Sequence, residues 1–380
     1  MNICFISNGL GLGGVEHMVT FLGNQMSKRK NNIYYYLLTR MPIYWNIYDG
    51  NHIFYRSDSK ISKKHLFITR INKIFDLIKN RGIFSAVKYQ EDIIEDVVKL
   101  IKYSQIDILF VTSAQQIALI PSLKEKCPTV KIVAWIHQSS NSIEKLSRCF
   151  YPEFIEGLRE ANCIVCLTLS AKQYFSKINK HTLVIHNPIL MNSEGTSNLD
   201  NQNISFVSRI DFNQDQKGLY LLRNIARQLP SYVNINIAGG GTRKNEKKFK
   251  RIIKSKKISN KIFWNGVKKG NSLKDFYLQS SLFISTSRTE SFGLSTLEAM
   301  SFGIPVISFK TEGACEILDN GIYGILIDNY DTIKFAQCII KLLNNKNELL
   351  KYQQLSLKRS ELFTQKKIIR KWVDLLGNIK

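Results

Sequence analysis

Apolar and polar positions alternate in blocks along this chain. Short β-rich runs, NICFIS, NIYYYLLT, DILFVT, KIVAWIH, NCIVCLT and TLVIH, are separated by stretches whose apolar residues recur at helical spacing. That alternation predicts a parallel sheet with helices on both faces. A second series, NISFVS, INIAGG, KIFWNG, SLFIST, IPVISF and GILID, repeats the pattern, and from about Asp331 the chain reads as helix to its end. The fold expected is therefore α/β, with two doubly wound Rossmann-like domains. Turn residues cluster from Asn187-Pro188 through NSEGTSNLDNQN, where no apolar period survives, and this places the join. The expected division is 1–190 and 191–361, with a helix at about 362–380 packing back on the first domain.

A length of 380 residues agrees with two domains. No apolar run is long enough to span a bilayer, and Met1 to Ser7 lacks the basic start and cleavage site of a secretory signal, so a cytoplasmic protein is expected. The seven cysteines are odd in number and scattered among apolar runs, as buried hydrophobes are. Cys163 and Cys166 form a CxxC, but within a strand pattern and with no second pair. They read as strand residues rather than a redox or zinc site.

Charge changes the picture. Lys and Arg number 54 against 30 Asp and Glu, a formal +24, which favours anionic partners: phosphates, nucleic acid or an anionic membrane face. Within the basic segment Lys60 to Lys88, LFITRINKIFDLIK sets Phe67, Ile71, Ile74, Phe75 and Ile78 on one helical face. Peripheral contact with an anionic membrane and an ordinary core-facing helix are both compatible with that pattern. RKNEKKFKRIIKSKK, from Arg243, reads as a solvated helix. Neither segment interleaves aromatics with bases, so nucleic acid is not an expected partner.

Two motifs carry candidate chemistry. Gly9, Gly11 and Gly14 spell GxGxxG between a strand and a helix, a turn that suits an anion at a helix start. A dinucleotide site usually adds an acidic residue after the second strand. That strand ends in Arg40, which suits NADP better than NAD. In the second half, Glu290 and Glu298 are separated by seven residues across a turn entering a helix. With a helix start near Ser291, both border one crevice, and Phe292, Gly293 and Leu294 present free amides there.

This segment resembles the EX7E motif of retaining glycosyltransferases of the GT-B fold, family four, also called glycosyl transferases group one. GGVE at Gly13 to Glu16 is similar to that family's GGxE loop. SRIDFNQDQKG is similar to its basic segment, with Arg209 and Lys217 as the pair and a lengthening around Asn213 to Gln216. IAGGG, IFWNGV and EGACEILDNGIYGILI follow in the family's order.

The resemblance implies two domains facing a cleft and a nucleotide diphosphate sugar, UDP-linked, as donor. It implies that Arg209, Lys217 and the amides of Ser291 to Leu294 and of Gly13 and Gly14 hold the diphosphate, with no cofactor and no metal. Glu298 would take the ribose hydroxyls. Glu290 would hold the sugar and steady its oxocarbenium-like transition state, and His137 would act near the reacting carbon. The acceptor implied is a cell-surface glycan or lipid-linked sugar at the inner face of the membrane, receiving a hexose or N-acetylhexosamine. An NADP-dependent oxidoreductase leaves the Glu290 to Glu298 segment unexplained, and a sugar-nucleotide epimerase would need no acceptor.

Overall fold

The computed structural model describes residues 1–11, 13–56, 63–191, 194–255, 258, 261–328 and 330–379. Lys60, at the start of the basic segment, Asn192 and Ser193 of the join, and the last two lysines of the Arg243 segment lie outside them.

Every apolar run read from the sequence forms a strand, because parallel strands covered on both faces need uninterrupted apolar side chains. The first sheet contains β1 (Asn2–Ser7), β2 (Asn32–Leu37), β3 (His52–Tyr55), β4 (Ile108–Val111), β5 (Lys131–Trp135), β6 (Cys163–Cys166) and β7 (Thr182–Val184), in the order β3-β2-β1-β4-β5-β6-β7. The second contains β8 (Asn203–Val207), β9 (Asn234–Ala238), β10 (Ile262–Trp264), β11 (Leu282–Ser285), β12 (Val306–Phe309) and β13 (Ile325–Ile327), in the order β10-β9-β8-β11-β12-β13. All these pairings are parallel. β4, β6 and β12 bury every residue. The strand missed in the sequence, β3, lies at a sheet edge and exposes His52 and Phe54.

The chain divides into two compact units, Met1–Ile185 with Ile369–Lys380, and His186–Ile368. The Gln365–Asn378 helix begins in the second and ends in the first. Trp372 is buried there, its ring 4.8 Å from Trp135 and 5.7 Å from Phe110, both on the first sheet. Cys163 and Cys166 are buried in β6, and burial pushes the Cys163 thiol up to about 12, as inert strand residues require.

In each sheet the strand order reverses once, between β1 and β4 and between β8 and β11. Adjacent loops diverge at such a point, so ligands of open α/β sheets bind outside the carboxyl ends of those strands. The loops after β1, β8 and β11 are the ones that carry the sequence motifs.

Candidate active site

In the second unit, the loops after β8 and β11 are tied together by one glycine. Gly218 has φ +63, and a Cβ there would lie 1.9 Å from the Thr286 carbonyl oxygen, so only glycine admits this approach. Thr286, fully buried just past β11, donates its hydroxyl to the carbonyls of Lys217 and Gly218, at 2.9 and 3.1 Å. Lys217 is thereby held beside Glu290: its Nζ donates to Oε2 at 2.6 Å, with the two side chains 18% and 22% exposed. Ser287 Oγ donates to the same oxygen at 3.3 Å. The lengthening before Lys217 folds into a tight turn at Asn213–Asp215, anchored where the Arg288 amide donates to the Gln216 carbonyl at 2.8 Å. The insertion therefore leaves Lys217 at the site.

The following helix, Leu294–Ser301, starts three residues later than expected. Gly293 is its N-cap with φ +101, a left-handed value incompatible with a helix running through from Ser291. No side chain caps this start, which leaves its first amides without a side-chain partner, and Glu290 lies beside it, its Cγ 3.4 Å from where a Cβ on Gly293 would stand. Phe292 is buried, stacked on His186 and edge-on to Phe363; its ring fixes the turn and only its backbone is available to a ligand. Gly313 donates its amide to the Glu290 carbonyl at 2.8 Å. Arg209, two residues past β8, exposes its side chain.

Glu298 is on the second turn of the same helix. Burial pushes its carboxyl up to about 7, although the Tyr277 hydroxyl donates to it at 3.0 Å and opposes that rise. Tyr277 is fully buried and nothing in its sequence context marked it. A cavity of about 450 Å³ in this unit is lined by Asn203 and Asn234, the first residues of β8 and β9, and by Ser280 before β11. It runs along β9 and β10 as well, past Asn236, Phe263 and Asn265, and neither Lys217 nor Glu290 lines it.

In the first unit, Gly13 caps the Gly14–Ser27 helix without a side-chain bond, but the space above it is taken. Glu16 folds back, so that a Cβ on Gly13 would fall 1.7 Å from its carboxylate oxygen. The Glu16 carboxylate therefore lies beside Gly13 at this helix start, where a bound phosphate would need it to swing away. The segment after Arg40 lies on the same loop: Trp45 Nε1 donates to the Gly11 carbonyl at 2.8 Å and stacks on His17 at 3.5 Å. Burial brings His17 down to about 4.

His137 is buried two residues past β5, 4.3 Å from the Trp135 ring, and burial lowers it to about 3, so the imidazole is neutral. Its Nε2, Trp135 Nε1 and Gln138 Oε1 are all buried without a hydrogen-bond partner. Buried polar atoms of this kind call for a partner, a water or a polar ligand. Gln138 and Trp135 gave no sequence signal. Among the described residues, no three His, Cys, Asp or Glu side chains gather in a way that could hold a metal ion.

Two doubly wound units with cationic, helix-start chemistry at the second switch point define a class, and the comparisons agree. The chain superposes along its whole length on sucrose-phosphate synthase from Thermosynechococcus elongatus (TM-score 0.81, 15% identity, 98% of that chain). It likewise superposes on Anabaena HepE in complex with UDP and glucose (TM-score 0.76, 16% identity, 100% of each chain). These likenesses establish the fold, that of GT-B glycosyltransferases. Residues 192–358 match the family model for glycosyl transferases group 1, so the second unit carries a group 1 glycosyltransferase domain. An uncharacterized glycosyltransferase of Haemophilus influenzae is 25% identical over 380 residues, covering 98% of both chains.

Proposed function

We propose that this protein is a retaining, metal-independent glycosyltransferase that moves a hexose or N-acetylhexosamine from a UDP-sugar to a glycan or lipid-linked acceptor. Its place would be the cytoplasmic face of the cell membrane. The observation that carries the reading is the Lys217–Glu290 contact at 2.6 Å, beside the uncapped helix start at Gly293. A cation, a sugar-binding carboxylate and free amides meet at the carboxyl ends of the strands flanking the switch point.

In the reaction the bond from the anomeric carbon to the diphosphate breaks as the acceptor oxygen attacks from the same face. The departing phosphate takes the acceptor proton. Lys217, Arg209 and the amides of Gly293 and Leu294 neutralise the charge that grows on the diphosphate, which needs no metal for that purpose. Glu290 holds sugar hydroxyls and stabilises the oxocarbenium-like centre; in the free protein Lys217 keeps it in position. Glu298 accepts the ribose hydroxyls. Neutral His137 offers Nε2 to a sugar hydroxyl, and Gln138 accepts from the same ligand.

The test is a panel of nucleotide sugars, with a chelator present, followed by nucleotide release. Wild type should turn over one UDP-sugar. Glu290→Ala, Lys217→Ala and Arg209→Ala should each lose roughly 10²- to 10³-fold. Full activity in the Lys217 and Glu290 variants would remove the site, and abolition by the chelator would overturn metal independence.

A further inference from the structure

The Lys63–Lys79 helix meets its own unit through polar side chains, Lys73 and Asp76. On the side facing its own unit, Lys73 Nζ stands 5.1 Å from the Phe84 ring centre and 5.2 Å from that of Tyr89. One turn on, Asp76 accepts from Lys88 Nζ at 2.9 Å and from the Tyr89 hydroxyl at 2.8 Å. These contacts fix the rotation of the helix and turn its apolar face to solvent. Phe67, Phe75 and Ile78 are 64%, 68% and 76% exposed, and Ile68, Ile71 and Ile74 are exposed beside them. At 100° per residue, Phe67, Ile71, Ile74, Phe75 and Ile78 form one stripe. Exposed Arg70 and Lys79 lie along its two borders. Such an orientation excludes the core-facing alternative, since a core-facing helix buries this stripe.

We propose that this helix is a membrane-docking element. It lies in the headgroup layer of an anionic bilayer, with the Phe67–Ile78 stripe among the acyl chains and Arg70, Lys79 and Arg81 at the lipid phosphates. Charge complementarity selects this occupant over a second copy of the chain. From Lys60 to Lys88 the sequence carries eight Lys and Arg against the single acid Asp76, and that acid is turned inward, already paired to Lys88. Two copies of this face would set their cations against each other, whereas an anionic lipid surface neutralises them while taking up the apolar stripe. Contiguous apolar surface of this extent is otherwise avoided by soluble proteins. The inference depends on the helix alone; combined with the transferase reading, it brings the enzyme to a lipid-anchored acceptor.

The experiment is co-sedimentation of the full chain, without donor or acceptor, with vesicles of phosphatidylcholine alone or containing roughly one-third phosphatidylglycerol. Binding is expected to the anionic vesicles only, weakening with salt. A triple variant Ile74→Ser, Phe75→Ser and Ile78→Ser keeps every charge and alters only exposed side chains. It should fall about tenfold or more in vesicle affinity with its thermal melt unchanged. Phe75→Trp should shift its emission to the blue on binding. Failure of wild type to sediment, or equal binding by the triple variant, overturns the proposal. A wild-type dimer in vesicle-free sedimentation that the triple variant dissolves assigns the face to a second copy instead. Loss of sugar transfer with vesicle binding intact overturns only the transferase reading.

Discussion

Glu298 is a side chain whose charge state the fold moves into the neutral range. Its folded pKa, about 7, lies above the ordinary 4.5, so the native state holds the proton more tightly than the unfolded chain. The stabilisation from this group is complete below about 4.5 and is lost as pH rises through 7. Ribose recognition, as proposed for Glu298, runs the other way, because the carboxylate offers both oxygens as charge-assisted acceptors whereas the neutral acid must also place a donor. UDP affinity measured by calorimetry should therefore rise with pH through a midpoint of about 7. Tyr277→Phe removes the donor that lowers the Glu298 pKa, so that midpoint should move up. A profile that is flat from about pH 6 to 8 in both proteins would dissociate Glu298 from the nucleotide. His137 offers a contrast, being neutral throughout that range. His137→Phe fills its space without the unsatisfied Nε2 and should lower kcat/KM by about tenfold, the worth of one hydrogen bond in the reacting complex. UDP affinity, which the proposed site assigns to the other unit, should stay at the wild-type value; a parallel loss of both would refute a role at the sugar.

At the level of elements, one turn decides where Lys217 stands. Gly218 and Gly266 have nearly the same φ, +63 and +68, but a Cβ on Gly218 meets the Thr286 carbonyl whereas one on Gly266 meets nothing within 4 Å. Gly266→Ala should therefore cost only the conformational strain, about 1 kcal/mol. Gly218→Ala adds the clash, moves Lys217 from Glu290 and should cost at least about 2 kcal/mol with a large loss of turnover. Equal urea midpoints for the two variants would show that the approach of the two loops is not held by this glycine. The same turn explains what could be read in the sequence. Strands such as β4 and β12 are covered on both faces, so their apolar runs are continuous and were legible; β3, a four-residue edge strand half in solvent, has no such run. The spacing after Glu290 predicts a helix from about Ser291, three residues early, because spacing does not reveal the positive φ of Gly293. Tyr277, Gln138 and Trp45 reach their sites only through tertiary packing. The amphipathic period of the Lys63–Lys79 helix likewise gives a face but not its direction, which Lys73 and Asp76 settle.

For the whole molecule, the last helix is the element both units share. Its start, Gln365–Ile368, belongs to the second, and Trp372 completes the aromatic cluster of the first with Phe110 and Trp135. Trp135 also ends β5, two residues before His137, so the cluster supports the strand end where the unsatisfied polar atoms gather. Trp372→Ala leaves a large cavity under that end. It should destabilise the first unit by about 3 to 5 kcal/mol. On the proposed reading UDP is held by residues between Arg209 and Glu298, all in the second unit, so its binding should survive while transfer to acceptor falls. Urea unfolding followed by tryptophan emission, with UDP titration on the same samples, separates the two effects: an early transition that leaves UDP affinity intact is the expected result. If UDP affinity is lost in that same early transition, donor and acceptor functions are not divided between the units as proposed, and the assignment of the donor to the second sheet fails with it.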